Sequence, residues 1–172
     1  MAIETQKLAL YLVTDPDLCA KFGLIETVKA ALAGGVSIVQ LRDKNASTAQ
    51  MIQYAKALQP ILATHNVPLI INDDVEAAIA CGADGIHVGQ DDLDVVQVRH
   101  KVGPDKIVGL SVETAEAALI VDAGIVDYIG ISPIFTTQTK SDHKPPVGFD
   151  GLVDIVASSP VPSVAIGGLS AN

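Results

Sequence analysis

The sequence predicts an α/β protein of the parallel (β/α) barrel class. Three observations predict it. Seven short apolar runs, each bounded by Gly, Pro or polar residues, alternate with segments of helical spacing. Hydrophobic residues make up 49% of the 172-residue chain and aromatics only 3%, so the core is aliphatic and suits strands buried on both faces. Finally, "KAALAGGVSIVQL", "EAAIACGADGIHV" and "AALIVDAGIVDYIGI" share one grammar: an Ala-rich helix ends at Gly and a strand begins two or three residues later. Repeated strand–helix units give parallel strands with right-handed crossovers. The length allows one sizeable core, so residues 1–172 form a single domain.

In order along the chain, the first strand is "LALYLVT" (8–14). In "GLIETVKAALAGG", Leu24, Val28, Ala31 and Leu32 make one apolar stripe that Gly34 and Gly35 end. "SIVQLR" (37–42) is the second strand. "STAQMIQYAKALQPILATHN" opens with a Ser or Thr cap. "PLIIND" (68–73) is followed by a helix, "DDVEAAIACG", that starts at Asp and stops at Gly82. "GIHVG" (85–89), "IVGLSV" (107–112) and "YIGISP" (128–133) are the next three strands. "GFDGLVDIVASS" is the helix before the seventh, "PSVAIGG" (162–168). The first strand lacks GxGxxG, which leaves an open dinucleotide-binding sheet without support.

Charge narrows the partners. The formal net charge of −9 makes the chain a poor general binder of nucleic acid or anionic membrane. Two cysteines, Cys19 and Cys81, form neither a disulfide framework nor a zinc-ligand spacing. The apolar run before Thr14 is six residues, too short for a signal peptide or a span, so a soluble cytoplasmic protein is expected.

In a parallel barrel the C-terminal strand ends share one rim, and here that rim carries the polar chemistry. Arg42 and Lys44, after strand two, are two residues apart and fall on the same side. Two cations side by side call for an anion between them. Lys140 adds a third from "TTQTK", although alone it reads as a solvated loop residue. Asp73 and Asp92 end consecutive strands, about 4.8 Å apart, so both carboxylates can reach one hard divalent cation. Helix capping competes for them: Asp73 or Asp74 before "VEAAIA", Asp91 or Asp92 before "LDVVQV". Gly167 and Gly168 offer backbone N–H groups to a phosphate, or form a tight turn. His87 alternates with Ile86 and Val88 and reads as a hydrogen-bonded interior residue; His143 reads as solvated. No Ser–His–Asp or Cys–His order stands out.

"QLRDK", "INDD", "DGIHVGQDD", "GLSV", "ISPIFTTQTK" and "AIGGL" occur in the order and spacing of thiamine-phosphate synthase, a resemblance that covers essentially the whole chain. It implies a TIM (β/α)8 barrel. It implies a transferase of thiamine biosynthesis that joins hydroxymethylpyrimidine diphosphate to hydroxyethylthiazole phosphate, with Mg2+ as cofactor. Carried over, it makes Gln40, Leu41, Arg42, Asp43, Lys44, Asn72, Ser111 and Lys140 the pyrimidine diphosphate site, with Arg42, Lys44, Ser111 and Lys140 catalytic. Asp43, lying between the two cations, points the opposite way and reads as structural. Asp73 and Asp92 resemble the magnesium ligands; Thr137, Gln138, Thr139 and Gly168 resemble the thiazole phosphate contacts. The implied mechanism is dissociative: pyrophosphate leaves first and the thiazole nitrogen captures a pyrimidine carbocation. The related thiazole tautomerase needs neither diphosphate nor magnesium, and the full cation set with paired Asp argues against it.

The sequence departs from the family pattern at its end. It stops at Asn172, where "GGLSAN" opens a seventh helix, and carries no eighth strand; such barrels typically run to about 250 residues and rarely under about 200. The expectation is a C-terminally incomplete barrel, a fragment of a longer protein rather than a degenerate product. The competing functional reading is an inactive fragment that at most binds phosphate. The polar "TTQTKSDHKPPVGF" is expected to act as a mobile lid. Oligomeric state is not legible.

Overall fold

The computed structural model of the chain describes residues 3–90, 92–137 and 145–170. Seven strands form one parallel sheet in strictly sequential order. They are β1 (Tyr11–Val13), β2 (Ile38–Leu41), β3 (Leu69–Asn72), β4 (Gly85–Val88), β5 (Ile107–Val112), β6 (Tyr128–Ile131) and β7 (Ser163–Ala165). Sequential order without a reversal is single winding, which curls the sheet toward a barrel; a doubly wound sheet reverses at its switch point. Every predicted strand is present. β1 and β7 are shorter than predicted, and Thr5–Leu8 is a 3-10 turn whose Leu8 plugs the barrel floor.

The helices are α1 (Pro16–Cys19), α2 (Leu24–Ala33), α3 (Thr48–Thr64), α4 (Val75–Cys81), α5 (Val95–Val102), α6 (Ala115–Leu119) and α7 (Gly148–Ser158). Their starts are encoded locally. Ser47 and Gln50 make a capping box at α3, and Asp74 accepts the Ala77 N–H at 2.8 Å to cap α4. Gly82, at φ 70°, closes α4 in the left-handed conformation that costs glycine nothing. Among the described residues no helix is long and apolar enough to cross a membrane. Both cysteines are free, and burial pushes the Cys81 thiol up, in keeping with packing.

The period of two along each strand separates two environments. Val39, Leu41, Leu69, Ile71, Ile86, Val88 and Val108 point outward and pack under the helices against Met51, Leu58, Ala77 and Val98. Ile38, Ile70 and Tyr128 point inward, with Leu8, Tyr11, Ile107 and Val164, and fill the floor of the barrel. One step up the inner face the residues turn polar: Gln40, Asn72, His87 and Ser111 line the cavity above that floor.

At the opposite end, Arg99 on α5 ties the strand starts together. All five of its N–H donors are used: two on Ile125 O (2.9 and 2.8 Å), one each on Gly103 O (3.0 Å), Lys106 O (2.6 Å) and Asp127 Oδ2 (2.6 Å). Asp127 in turn accepts the Val108 N–H at 2.8 Å.

Candidate active site

The strand ends open into a cavity of about 530 Å³. One wall comes from β1 and β2. Because the inward parity of Gln40 continues past the strand, Arg42 and Lys44 both line the cavity, as their spacing predicts. Arg42 is held there: Asp15 Oδ2 lies 3.6 Å from its Nη1, and each side chain is about 15% exposed. The same Asp15 carboxylate caps α1, accepting from Asp17 and Leu18 at 3.0 and 3.2 Å. Thr14, almost fully buried, accepts the Arg42 N–H at 3.0 Å. Asp15 and α1 were not singled out from the sequence; the Asp-Pro start of a helix was the available signal.

The adjoining strand ends, after β3 and β4, carry acid. Asp73 stands at φ 60°, a left-handed conformation that Asp tolerates, and its Oδ2 accepts from Asn72 Nδ2 at 2.5 Å. Its carboxyl is pushed up to about 6, first by burial and then by the Asp92 carboxylate beside it, with Asn72 and Lys44 partly offsetting. Capping is resolved in favour of other residues. Asp74 caps α4, and Asp94 caps α5 through Val96 and Gln97. Asp73 and Asp92 are thereby left to face each other, with Asp92 Oδ2 accepting the Gly89 N–H at 2.7 Å.

Two residues of the predicted diphosphate site do not reach the cavity. The Leu41 side chain is 1% exposed and packs outward in the main core, one step out of phase with Gln40 and Arg42. Asp43 does not line the cavity either and accepts the Asn45 N–H at 2.9 Å, a local turn bond. Thr137 and Gly168 line the cavity. Gly168 sits at φ 69°, and a Cβ there would lie 2.7 Å from Thr136 O, so only glycine fits the turn. Among the described residues no backbone carbonyl takes up the Gly167 or Gly168 N–H. Gln138, Thr139, Lys140, Asp91 and His143 lie outside the described residues, as does the middle (138–144) of the lid expected over 136–149, whose last two residues, Gly148 and Phe149, begin α7.

The cavity floor was only partly legible. His87 is interior and hydrogen-bonded, as its alternation predicts: Nδ1 lies 2.9 Å from Tyr128 Oη and Nε2 3.0 Å from Ser111 Oγ. Tyr128 Oη is 2.6 Å from Tyr11 Oη, which accepts from Gln40 Nε2 at 2.9 Å. Burial pushes the Tyr11 phenol up to about 12 and the Tyr128 phenol well above its ordinary range, so both stay protonated. Gly109 is the space that makes this possible, since a Cβ there would overlap the Tyr128 ring end and His87 Nδ1. Gly109→Ala is therefore expected to cost about 2 kcal/mol of stability, measured by urea unfolding.

Fold and site together define a class: a parallel (β/α) barrel enzyme whose mouth sets cations against paired carboxylates, suited to phosphorylated small molecules. More narrowly, the chain belongs to the thiamine monophosphate synthase family, whose sequence profile matches residues 10–172. It is 46% identical over 167 residues to the thiamine-phosphate synthase of Albidiferax ferrireducens, covering 97% of this chain and 76% of that protein. It is 48% identical over 165 residues to the Azorhizobium caulinodans thiamine-phosphate synthase, covering 96% and 78%. Among solved structures, thiamine phosphate pyrophosphorylase from Pyrococcus furiosus superposes with a TM-score of 0.85 at 33% identity, over 97% of this chain and 79% of that one.

Proposed function

We propose that the chain is a thiamine-phosphate synthase, a transferase joining hydroxymethylpyrimidine diphosphate to hydroxyethylthiazole phosphate with release of pyrophosphate. The observation that carries this reading is the mouth of the cavity, where Arg42 and Lys44, after β2, stand beside Asp73 and Asp92, after β3 and β4. The reaction asks the protein for charge and position rather than for a nucleophile, because the thiazole nitrogen supplies the attacking pair. Arg42 and Lys44 bind the diphosphate and take up charge as pyrophosphate departs. Asp15 keeps the Arg42 guanidinium in place for that task. Ser111 and Asn72 also line the cavity and orient the diphosphate-bearing substrate. The amides of Gly167 and Gly168 and the Thr137 side chain, on the β6–β7 side, suit the thiazole phosphate.

Asp73 and Asp92 would hold a magnesium ion. The fit rests on the Asp73 carboxyl, which burial and the facing Asp92 carboxylate push up to about 6, with Asn72 and Lys44 offsetting only part of that rise. When bound, the ion supplies positive charge to the diphosphate oxygens. The fold and charge also suit a cytoplasmic protein that takes small-molecule substrates and binds neither nucleic acid nor membrane. Incubating the purified chain with both substrates and magnesium, and following thiamine phosphate and pyrophosphate, tests the assignment. Stoichiometric release of both products is expected. Binding of both substrates with no coupled product would overturn it.

A further inference from the structure

A chain of hydrogen bonds crosses the barrel interior and joins residues on five strands: Gln40 (β2), Tyr11 (β1), Tyr128 (β6), His87 (β4) and Ser111 (β5). Its two ends, Gln40 and Ser111, both line the cavity. We propose that Tyr11, Tyr128 and His87 are positioning residues forming a proton-ordered relay, which fixes His87 as its Nε2–H tautomer and leaves the Ser111 hydroxyl to donate into the cavity.

The order follows from counting protons. The Gln40 amide nitrogen only donates, so the Tyr11 oxygen accepts from it. A phenol has one proton, and that of Tyr11 is best placed on Tyr128 Oη, 2.6 Å away. The Tyr128 proton then goes to His87 Nδ1, which must be bare to accept it. The imidazole proton therefore sits on Nε2 and is donated to Ser111 Oγ. The serine's own proton remains for a ligand, and a hydroxyl beside a diphosphate must donate. If Tyr128 instead gave its proton to Tyr11, the Tyr11 proton would meet the Gln40 N–H, leaving a buried donor unmatched at a cost of about 1–3 kcal/mol. Independent packing supports a built arrangement. Gly109 leaves room for the Tyr128 hydroxyl end and His87 Nδ1, and a Cβ at Gly130 would lie 2.9 Å from His87 Cε1. Two adjacent strands thus give up side chains to seat these rings.

The link to diphosphate rests on the synthase reading, and the experiment separates the two. Long-range 1H–15N correlation spectra of the labelled chain at neutral pH report the His87 tautomer without any turnover. A protonated Nε2 and a bare Nδ1 are expected. Gln40→Glu puts a group that only accepts at the head of the relay, so the pattern should invert to Nδ1–H. An Nδ1–H tautomer in the unmodified chain, or no inversion in Gln40→Glu, overturns the relay. The kinetic arm uses Tyr128→Phe, with Tyr11→Phe as the second variant should the first fail to fold. Each should lower kcat about tenfold, a loss of roughly 1.4 kcal/mol, with little change in KM for the diphosphate substrate. Combined with Ser111→Ala, either variant should add almost nothing to the serine's own loss. Full additivity would show that the tyrosines act only on stability and would overturn the positioning role. Absence of turnover in the unmodified chain counts against the synthase reading, and the spectra still decide the relay.

Discussion

Asp92→Ala is expected to abolish the magnesium-dependent turnover proposed above, lowering kcat/KM by at least about a hundredfold, a loss of roughly 2.7 kcal/mol or more. The reason lies in the pair. One carboxylate on a hard cation that also takes substrate oxygens and water is a poor site, whereas two from adjacent strands make a usable one. A companion measurement reads the same pair without catalysis. The Asp73 carboxyl is pushed from 3.8 to about 6 by burial and by Asp92. Between those values the folded chain holds a proton that the unfolded chain has released, so this group's contribution to stability is greatest below about pH 4. It is lost as pH rises through about 6. A divalent cation competes with that proton. The rise in Tm on adding magnesium should therefore be large at pH 7.5 and fade as pH falls below about 6. Asp73→Asn keeps a residue that tolerates φ 60°; it should stabilise the metal-free chain above pH 6 and remove the magnesium response. Equal magnesium shifts at both pH values, or unchanged turnover in Asp92→Ala across a magnesium titration, would refute the assignment.

Arg99→Ala should cost about 3–4 kcal/mol of stability and lower Tm by roughly 10 °C. It strips five donors from three carbonyl oxygens and a carboxylate, with Arg99 and Asp127 side chains only 16% and 11% exposed. The Asp127 charge would remain, partly buried, with only the Val108 N–H described against it. Arg99→Lys should recover little, since an ammonium cannot present the planar fork. The cluster lies at the strand starts, far from the rim, so the specific activity of the folded fraction should hold. Differential scanning calorimetry with an assay below the transition separates the two effects; a stability loss under about 1 kcal/mol would show that water replaces the guanidinium.

The strands were legible because an aliphatic run is a local signal, and their inner and outer faces follow from a period of two. Arg42 and Lys44 were legible for the same reason: parity set by Ile38 and Gln40 carries both to the cavity and turns Leu41 and Asp43 away. The resemblance to the synthases placed Leu41 and Asp43 in the binding stretch, but parity sends their side chains elsewhere. The Asp doublets left capping open, since Asp73 and Asp74 each have the right chemistry. It took Asp74 seated on the Ala77 N–H, and Asp94 at the start of α5, to assign the roles.

The sequence by itself determined the single-wound (β/α) order, the polar rim, the cations after β2 and the carboxylates after β3 and β4, because each rests on spacing within a few neighbouring residues. Only the tertiary structure decided what those groups meet. Asp15 reaches Arg42 across 27 positions, Tyr11 reaches Tyr128 across 117, and His87 touches Ser111 across the β4–β5 pair. Gly109 and Gly130 matter for the side chains they lack, which is visible only once Tyr128 and His87 occupy that space. Such contacts depend on how far the sheet has curled, and sheet curvature is a property of all its strands packed together rather than of any one segment.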